Sequence, residues 1–159
     1  MQGLPHEWLT DGLEKSAQIL ALVLAGVSQE QSRQVKDGDD GWSVLEIVCH
    51  LRDYQDIFAE RIRRMLEEER PAFQLYDEEA RLALVSDNDY ANQDLRAVFE
   101  SYRAKRRWLI ERLAAAPAGH WLRQGRFAVD DVVDVEMAVV HTLLHDADHG
   151  EQIARILRA

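Results

Sequence analysis

A chain of 159 residues and 18.3 kDa holds one domain with its own core and is too short for two ordinary ones. Apolar residues make up 47% and charged residues 30%, a balance that excludes intrinsic disorder. With 19 basic and 29 acidic side chains the net charge is −10, which argues against nucleic acid or an anionic membrane as partner. Only 8 Gly and 3 Pro are present, so breakers are few and helix is the expected secondary structure. A single cysteine, Cys49, excludes an internal disulfide and any all-thiolate zinc site, and fits a reducing compartment. The longest apolar stretch, Ile19 to Val27, falls well short of the ~20 residues of a membrane span. Glu7, Asp11 and Glu14 precede it where a secretory leader would be basic, so the expected location is the cytoplasm.

Taken in order, a first helix is expected from Asp11 to Gly26. Thr10 or Asp11 caps it, and Leu9, Leu13, Ala17, Leu20 and Leu24 form its inward stripe. Residues 28–41 read as a polar loop. Ser43-Val44-Leu45-Glu46 is a capping box that starts a long second helix. Ile47, Leu51, Tyr54, Phe58, Ile62 and Met65 line its inner face, and Pro71 ends it near Arg70. Residues 72–88 are a second connection, with room for a short helix from Asp77 to Val85. A third helix is expected from Tyr90 to Ala115, with Leu95, Val98, Phe99, Tyr102, Leu109 and Leu113 inward. Pro117, Gly119 and Gly125 mark the next connection. A fourth helix follows from Asp130 to Leu157, with Asp130 and Asp131 at its positive end. Four amphipathic patterns and no strand signal give an all-α fold, a four-helix bundle over residues 1–159. The longer connections at 28–41 and 72–88 permit a crossover.

Histidines carry the functional signal. Of the six, His141, His145 and His149 recur at spacing four on the last helix, the spacing at which two imidazoles reach one metal. Relative to Thr142, His149 lies about 20° and His145 about 60° off the inward stripe, while His141 lies about 100° off, on the flank. His50 lies about 60° from Ile47 and 40° from Tyr54, at the edge of the second helix's stripe. Two imidazoles on an apolar stripe need two buried partners, and a metal removes that need. Three neutral nitrogens leave a position open for water or substrate. Asp53, Asp146 and Asp148 lie nearby as acceptors for a ligand's second N–H. Asp146 points inward and is a candidate further ligand or catalytic base; Asp148 points to solvent. No Glu-x-x-His occurs, which excludes the di-iron bundle pattern, and the zincin His-Glu-x-x-His is absent. Cys49 sits about 100° round from His50 and reads as packing. Arg61, Arg63, Arg64 and the Arg103–Arg107 run read as solvated surface. Trp42 and Trp121 are candidate pocket walls.

Trp42 ahead of a capped helix, His50-Leu51-x-Asp53, Trp121-x-Arg123-x-Gly125 and the closing His145-x-x-x-His149-x-x-Gln152-Ile153 together resemble the DinB/YfiT-like family of bacterial proteins. The similarity runs from about residue 9 to 157, and the closing motif is its most specific part. The resemblance implies a four-helix bundle, often dimeric, holding a divalent metal on His50, His145 and His149, with Gln152 matching the motif. Zinc or nickel suits such a set, with iron and manganese as further candidates. Relatives include S-transferases that use small thiols such as bacillithiol, and a mycothiol-dependent isomerase. The implied function is therefore a metal-dependent thiol S-transferase acting on a small molecule, with a low-molecular-weight thiol as co-substrate. The alternative is a non-catalytic metal-binding or stress-response protein of the same family. His141 is not required by the pattern.

Overall fold

The computed structural model describes residues 5–128 and 131–159. The bundle helices are α1 (His6–Val23), α3 (Val44–Glu67), α5 (Leu95–Ala115) and α6 (Val135–Ile156). Two shorter helices, α2 (Gln29–Gln34) and α4 (Glu78–Asp87), lie in the connections. Single 3₁₀ turns occupy Tyr90–Asn92 and Ala118–Leu122. Among the described residues no helix is long and apolar enough to cross a membrane.

α1 packs on α5 and α6, and α3 packs on the same two, so α1 and α3 face one another across the bundle. The chain therefore crosses the bundle twice. The segment between α1 and α3 makes the first crossing, as its length allowed. The second falls between α5 and α6 rather than at 72–88, which joins the neighbours α3 and α5.

Each start signal has a physical cause. Ser43 Oγ accepts from Glu46 N–H at 3.2 Å and Ser43 N–H donates to Glu46 Oε2 at 2.8 Å, so the capping box is reciprocal. Asp77, Asp94 and Asp134 cap α4, α5 and α6 in the same way, each accepting from the backbone N–H three residues on. Gly26 closes the first helix region in the left-handed conformation, φ +80°, which suits a residue without Cβ.

Several boundaries differ from expectation. α1 begins at His6, with Pro5 at its N-cap, where a missing N–H costs nothing. Thr10 is inside the helix, its hydroxyl donating to the carbonyls of His6 and Glu7. The 28–41 segment holds α2, started by a second capping box, Ser28 with Gln31. α5 starts at Leu95, after the 3₁₀ turn at Tyr90. Strand does occur: β1 (Gln124–Arg126) and β2 (Val132–Asp134) form an antiparallel pair ahead of α6. Val132 and Val133 are β-branched and prefer that pairing to a first helical turn. The helix start moves accordingly to Asp134; Asp131 precedes it, and Asp130 lies outside the described residues. Gly125 in β1 admits no side chain, because a Cβ there would sit 2.1 Å from the Phe73 ring.

The core has two apolar clusters. One gathers Leu20, Val48, Leu51, Tyr90, Val98 and Ile153; the other gathers Leu13, Ile62, Leu109, Trp121 and Val139. Between them lies a polar layer with one member from each bundle helix: Ser16, Gln55, Arg106 and Asp146. Arg106 is 1% exposed, which corrects its reading as solvated surface. Its guanidinium donates to Gln55 Oε1 at 2.8 Å, to the Leu13 carbonyl at 2.9 Å and to Ser16 Oγ at 2.8 Å. Its Nη2 lies 2.8 Å from Asp146 Oδ2 as an ion pair. Arg103 and Lys105 are exposed and pair with Glu100 and Asp56, Arg107 is exposed, and the half-buried Arg63 and Arg64 pair with Glu60, Glu67 and Glu68.

Candidate metal centre

α3 and α6 pack against each other, and their facing edges carry the three expected histidines. His50 is 4% exposed, held inside by the stripe that buries Ile47, Leu51 and Phe58. His145 and His149 stand one turn apart on α6. The three ring centroids form a nearly equilateral triangle, 4.9 Å, 4.8 Å and 4.6 Å on a side. One nitrogen from each ring lies within 4.8 Å of the others. His50 Nε2 and His145 Nε2 are only 2.9 Å apart.

The donor chemistry fits a divalent cation. With metal–nitrogen bonds of about 2.0–2.1 Å, two nitrogens on one ion sit roughly 2.9–3.4 Å apart. Both imidazoles are neutral: burial, reinforced by the neighbouring His149, pushes the His50 pKa down to about 3 and that of His145 down to about 2. Neutral rings offer lone pairs, and two Nε2 atoms facing each other at this distance use them best on a shared cation. His50 Nδ1 is buried without a hydrogen-bond partner among the described residues.

A hydrogen-bond chain fixes the third ring. His149 Nδ1–H donates to Gln152 Oε1 at 2.8 Å, which leaves Nε2 free. Gln152 Nε2 donates to Asp37 Oδ2 at 2.8 Å, and Arg155 donates to Asp37 Oδ1 at 3.0 Å. The Arg155 bonds, followed by the Gln152 bond, hold the Asp37 carboxyl below its usual range. Aromatic packing fixes the other two rings. Tyr54 stacks on His145 at 4.0 Å and 13°, and Trp42 meets His50 at 5.1 Å.

The triangle opens into a pocket of about 560 Å³, walled by Trp42, Tyr54, Tyr76, Asp77, Glu78 and Arg81. The last four come from the 72–88 connection and from α4. Arg81 lies over Trp42, its guanidinium carbon 5.1 Å from the ring centroid.

Other expected site residues fall elsewhere. Asp53 does not bond to His50. Its Oδ1 accepts from Arg52, and its Oδ2 accepts from Asn88 at 2.9 Å and from Tyr90 at 2.6 Å, which ties α3 to the turn ahead of α5. Asp146 is inward, as its phase requires, yet it points away from the triangle. Its Oδ2 accepts from Ser16 at 2.6 Å and Tyr102 at 3.1 Å besides pairing with Arg106, and that cation offsets its charge. Trp121 is in the second core cluster, stacked on His6 at 4.2 Å, and lines no part of the pocket. Asp148 is exposed, and so is His141, whose ring edge meets Phe58. Cys49 is fully buried with its thiol pushed up to about 12 by desolvation, which makes it packing rather than a nucleophile. Tyr76, Arg81 and Asp37 join the site without a sequence signal, because they come from connections whose placement is tertiary.

The sequence model of the DinB superfamily matches residues 13–153. No curated protein sequence matches the chain. Among solved structures, the chain is similar to YfiT from Bacillus subtilis, described as a probable metal-dependent hydrolase with an unusual four-helix bundle topology. The TM-score is 0.84 at 21% identity, over 99% of this chain and 89% of that one. It is also similar to the mycothiol-dependent maleylpyruvate isomerase, with a TM-score of 0.76 at 13% identity over 94% of this chain. The match spans 61% of the isomerase, so a large part of that protein has no counterpart here. These likenesses establish the YfiT-type four-helix bundle, and the family match covers most of the sequence: the chain belongs to the DinB superfamily.

Proposed function

We propose that His50, His145 and His149 hold a divalent metal and that the protein uses it to transfer a small thiol to an electrophilic small molecule. The observation that supports this most is the convergence of three imidazoles on an open pocket, His50 buried, His145 half-buried and both of them neutral. When bound there, a divalent metal would stabilise a thiol as thiolate at neutral pH. The protein supplies the rest. Gln152 and Asp37 hold His149 in one tautomer. Trp42 and Tyr54 keep His50 and His145 in place and exclude water from their flanks. Arg81 puts a cation at the mouth, where an anionic group of the thiol or the electrophile can pair with it.

The choice of a thiol over water rests on the carboxylates. A metal lowers the pKa of bound water to about 7, and a base within hydrogen-bond reach assists the attack of that water. The two buried carboxylates nearest in sequence to the histidines, Asp53 and Asp146, are each occupied by an arginine and by hydroxyl or amide donors; of the two on the pocket wall, Asp77 accepts from Ala80 N–H as the α4 cap and Glu78 lies 3.6 Å from Arg81. A metal-held thiol depends on such a base less than water does, since its pKa starts at about 8.5 and falls further on coordination. The mycothiol-dependent neighbour supports the same reading. Hydrolysis is the second reading, favoured by the description of YfiT. The test is conjugation of bacillithiol or cysteine to a chromogenic electrophile by the metal-loaded protein. Acceleration that disappears in His145→Ala is expected. Thiol-independent hydrolysis of an ester, lost in the same variant, would replace the thiol reading with the hydrolytic one.

A further inference from the structure

The segment between α3 and α4 runs over α3 as a fixed strap. Phe73 N–H donates to the Arg126 carbonyl at 2.8 Å, and Arg126 N–H donates to the Pro71 carbonyl at 3.0 Å, so β1 holds its start. Arg64 donates to the Ala72 carbonyl and Arg61 to the Gln74 carbonyl, at 3.0 Å and 2.9 Å. These bonds place the next aromatic residue, Tyr76, edge-on to Tyr54 at 4.8 Å. Tyr54 in turn stacks on His145.

Tyr76 therefore stands at a partition. On one side is the three-histidine pocket. On the other is a cavity of about 240 Å³ with a mainly apolar wall, Tyr54, Phe58, Met65, Leu75 and Phe127 among it, and with Arg61, Asp131 and His141 as its polar members. An apolar cavity of ~150 Å³ suffices to bind benzene. The Tyr76 hydroxyl is buried and has no hydrogen-bond partner among the described residues. Buried hydroxyls are normally paired, and leaving one unmade is costly, so a lone one beside two cavities points to a ligand atom. Desolvation holds this phenol protonated, pushed up to about 12, so it acts as a donor.

We infer that Tyr76 donates a hydrogen bond to an acceptor oxygen of the electrophile while the aromatic cavity holds that molecule's apolar, ring-sized body. This rests on the reading of the three-histidine pocket as the reaction site, and it narrows the substrate class to apolar or aromatic carbonyl compounds. Tyr76 is a binding and positioning residue in this scheme, and it exchanges no proton with the thiol.

The test is binding without turnover. Acetophenone and ethylbenzene match in size and differ in the oxygen. Each is titrated into metal-loaded protein and into Tyr76→Phe, which keeps the ring against Tyr54 and removes only the hydroxyl. Binding is followed by the NMR signals of Phe58 and Phe127. Tyr76→Phe should weaken acetophenone about 3–10-fold, the span of one net hydrogen bond, and ethylbenzene less than twofold. Thermal stability and metal content should match the parent. Equal weakening of both probes, no weakening of acetophenone, or no binding of either probe to the parent would overturn the assignment. The differential between probes supports it whether or not thiols are conjugated, so failure of the thiol reading is seen separately.

Discussion

Removing Asp146 tests the polar layer that divides the core. In Asp146→Ala the Arg106 guanidinium, whose side chain is 2% exposed, loses its counter-ion. Breaking a buried pair by deleting one partner costs about 3–5 kcal/mol, a large share of the roughly 5–15 kcal/mol that holds a domain folded. An unfolding entropy of about 2.1 cal/mol/K per residue, taken over 159 residues, converts this to a Tm drop of about 9–15 °C. Replacing both partners, Asp146→Leu with Arg106→Met, removes the charges together and should recover most of the loss. Thermal denaturation of the parent, the two single variants and the double variant gives the coupling directly. Metal content measured below the Tm should be unchanged in Asp146→Ala. A Tm drop under about 3 °C, or loss of metal at unchanged Tm, would refute the assignment of Asp146 to the layer.

Two further outcomes follow from the site. Gln152→Ala frees the His149 ring from its orienting bond and should weaken zinc binding about 10–100-fold, read by competition with a chromogenic chelator; unchanged affinity would remove Gln152 from the site. Metal-free protein should lose stability as pH falls from 6.5 towards 3. The folded values of His50 and His145 are depressed to about 3 and about 2, so below pH 6.5 the unfolded chain binds the protons that the folded one refuses. At pH 5, which lies roughly 1.5 pH units below the ordinary histidine value, that is about 2 kcal/mol for each histidine. Denaturant unfolding at pH 7.5 and pH 5 checks it, with His145→Gln expected to show about half the pH effect of the parent.

What the sequence revealed and what it concealed have the same cause. Apolar stripes are local, and they placed four helices and the phase of His50, His145 and His149; the Ser43 capping box fixed the start of α3, while the starts of α1, α5 and α6 moved to Pro5, Asp94 and Asp134. Arg106 was hidden because it lies among Arg103, Lys105 and Arg107, and the partners that make its burial tolerable, Asp146, Gln55, Ser16 and the Leu13 carbonyl, are at least 40 positions away. Helical phase turns Asp146 inward but does not say what it meets there. The short strands were hidden because β1 and β2 depend on pairing across a turn, and the valines of β2 sit where a helical start was equally legible. Trp121 looked like a pocket wall until His6, at the far end of the chain, took its face. Tyr76 and Arg81 belong to a strap and a short helix whose position is fixed by β1, Arg61 and Arg64, contacts no local pattern encodes.

Metal content is the most direct measurement of the site. Tag-free parent protein and His149→Ala are analysed by mass spectrometry, as purified and after incubation with zinc, nickel and manganese. About one metal per chain in the parent, lost in the variant, is the predicted result. No metal in the parent under any condition, or equal content in the variant, would contradict the three-histidine site.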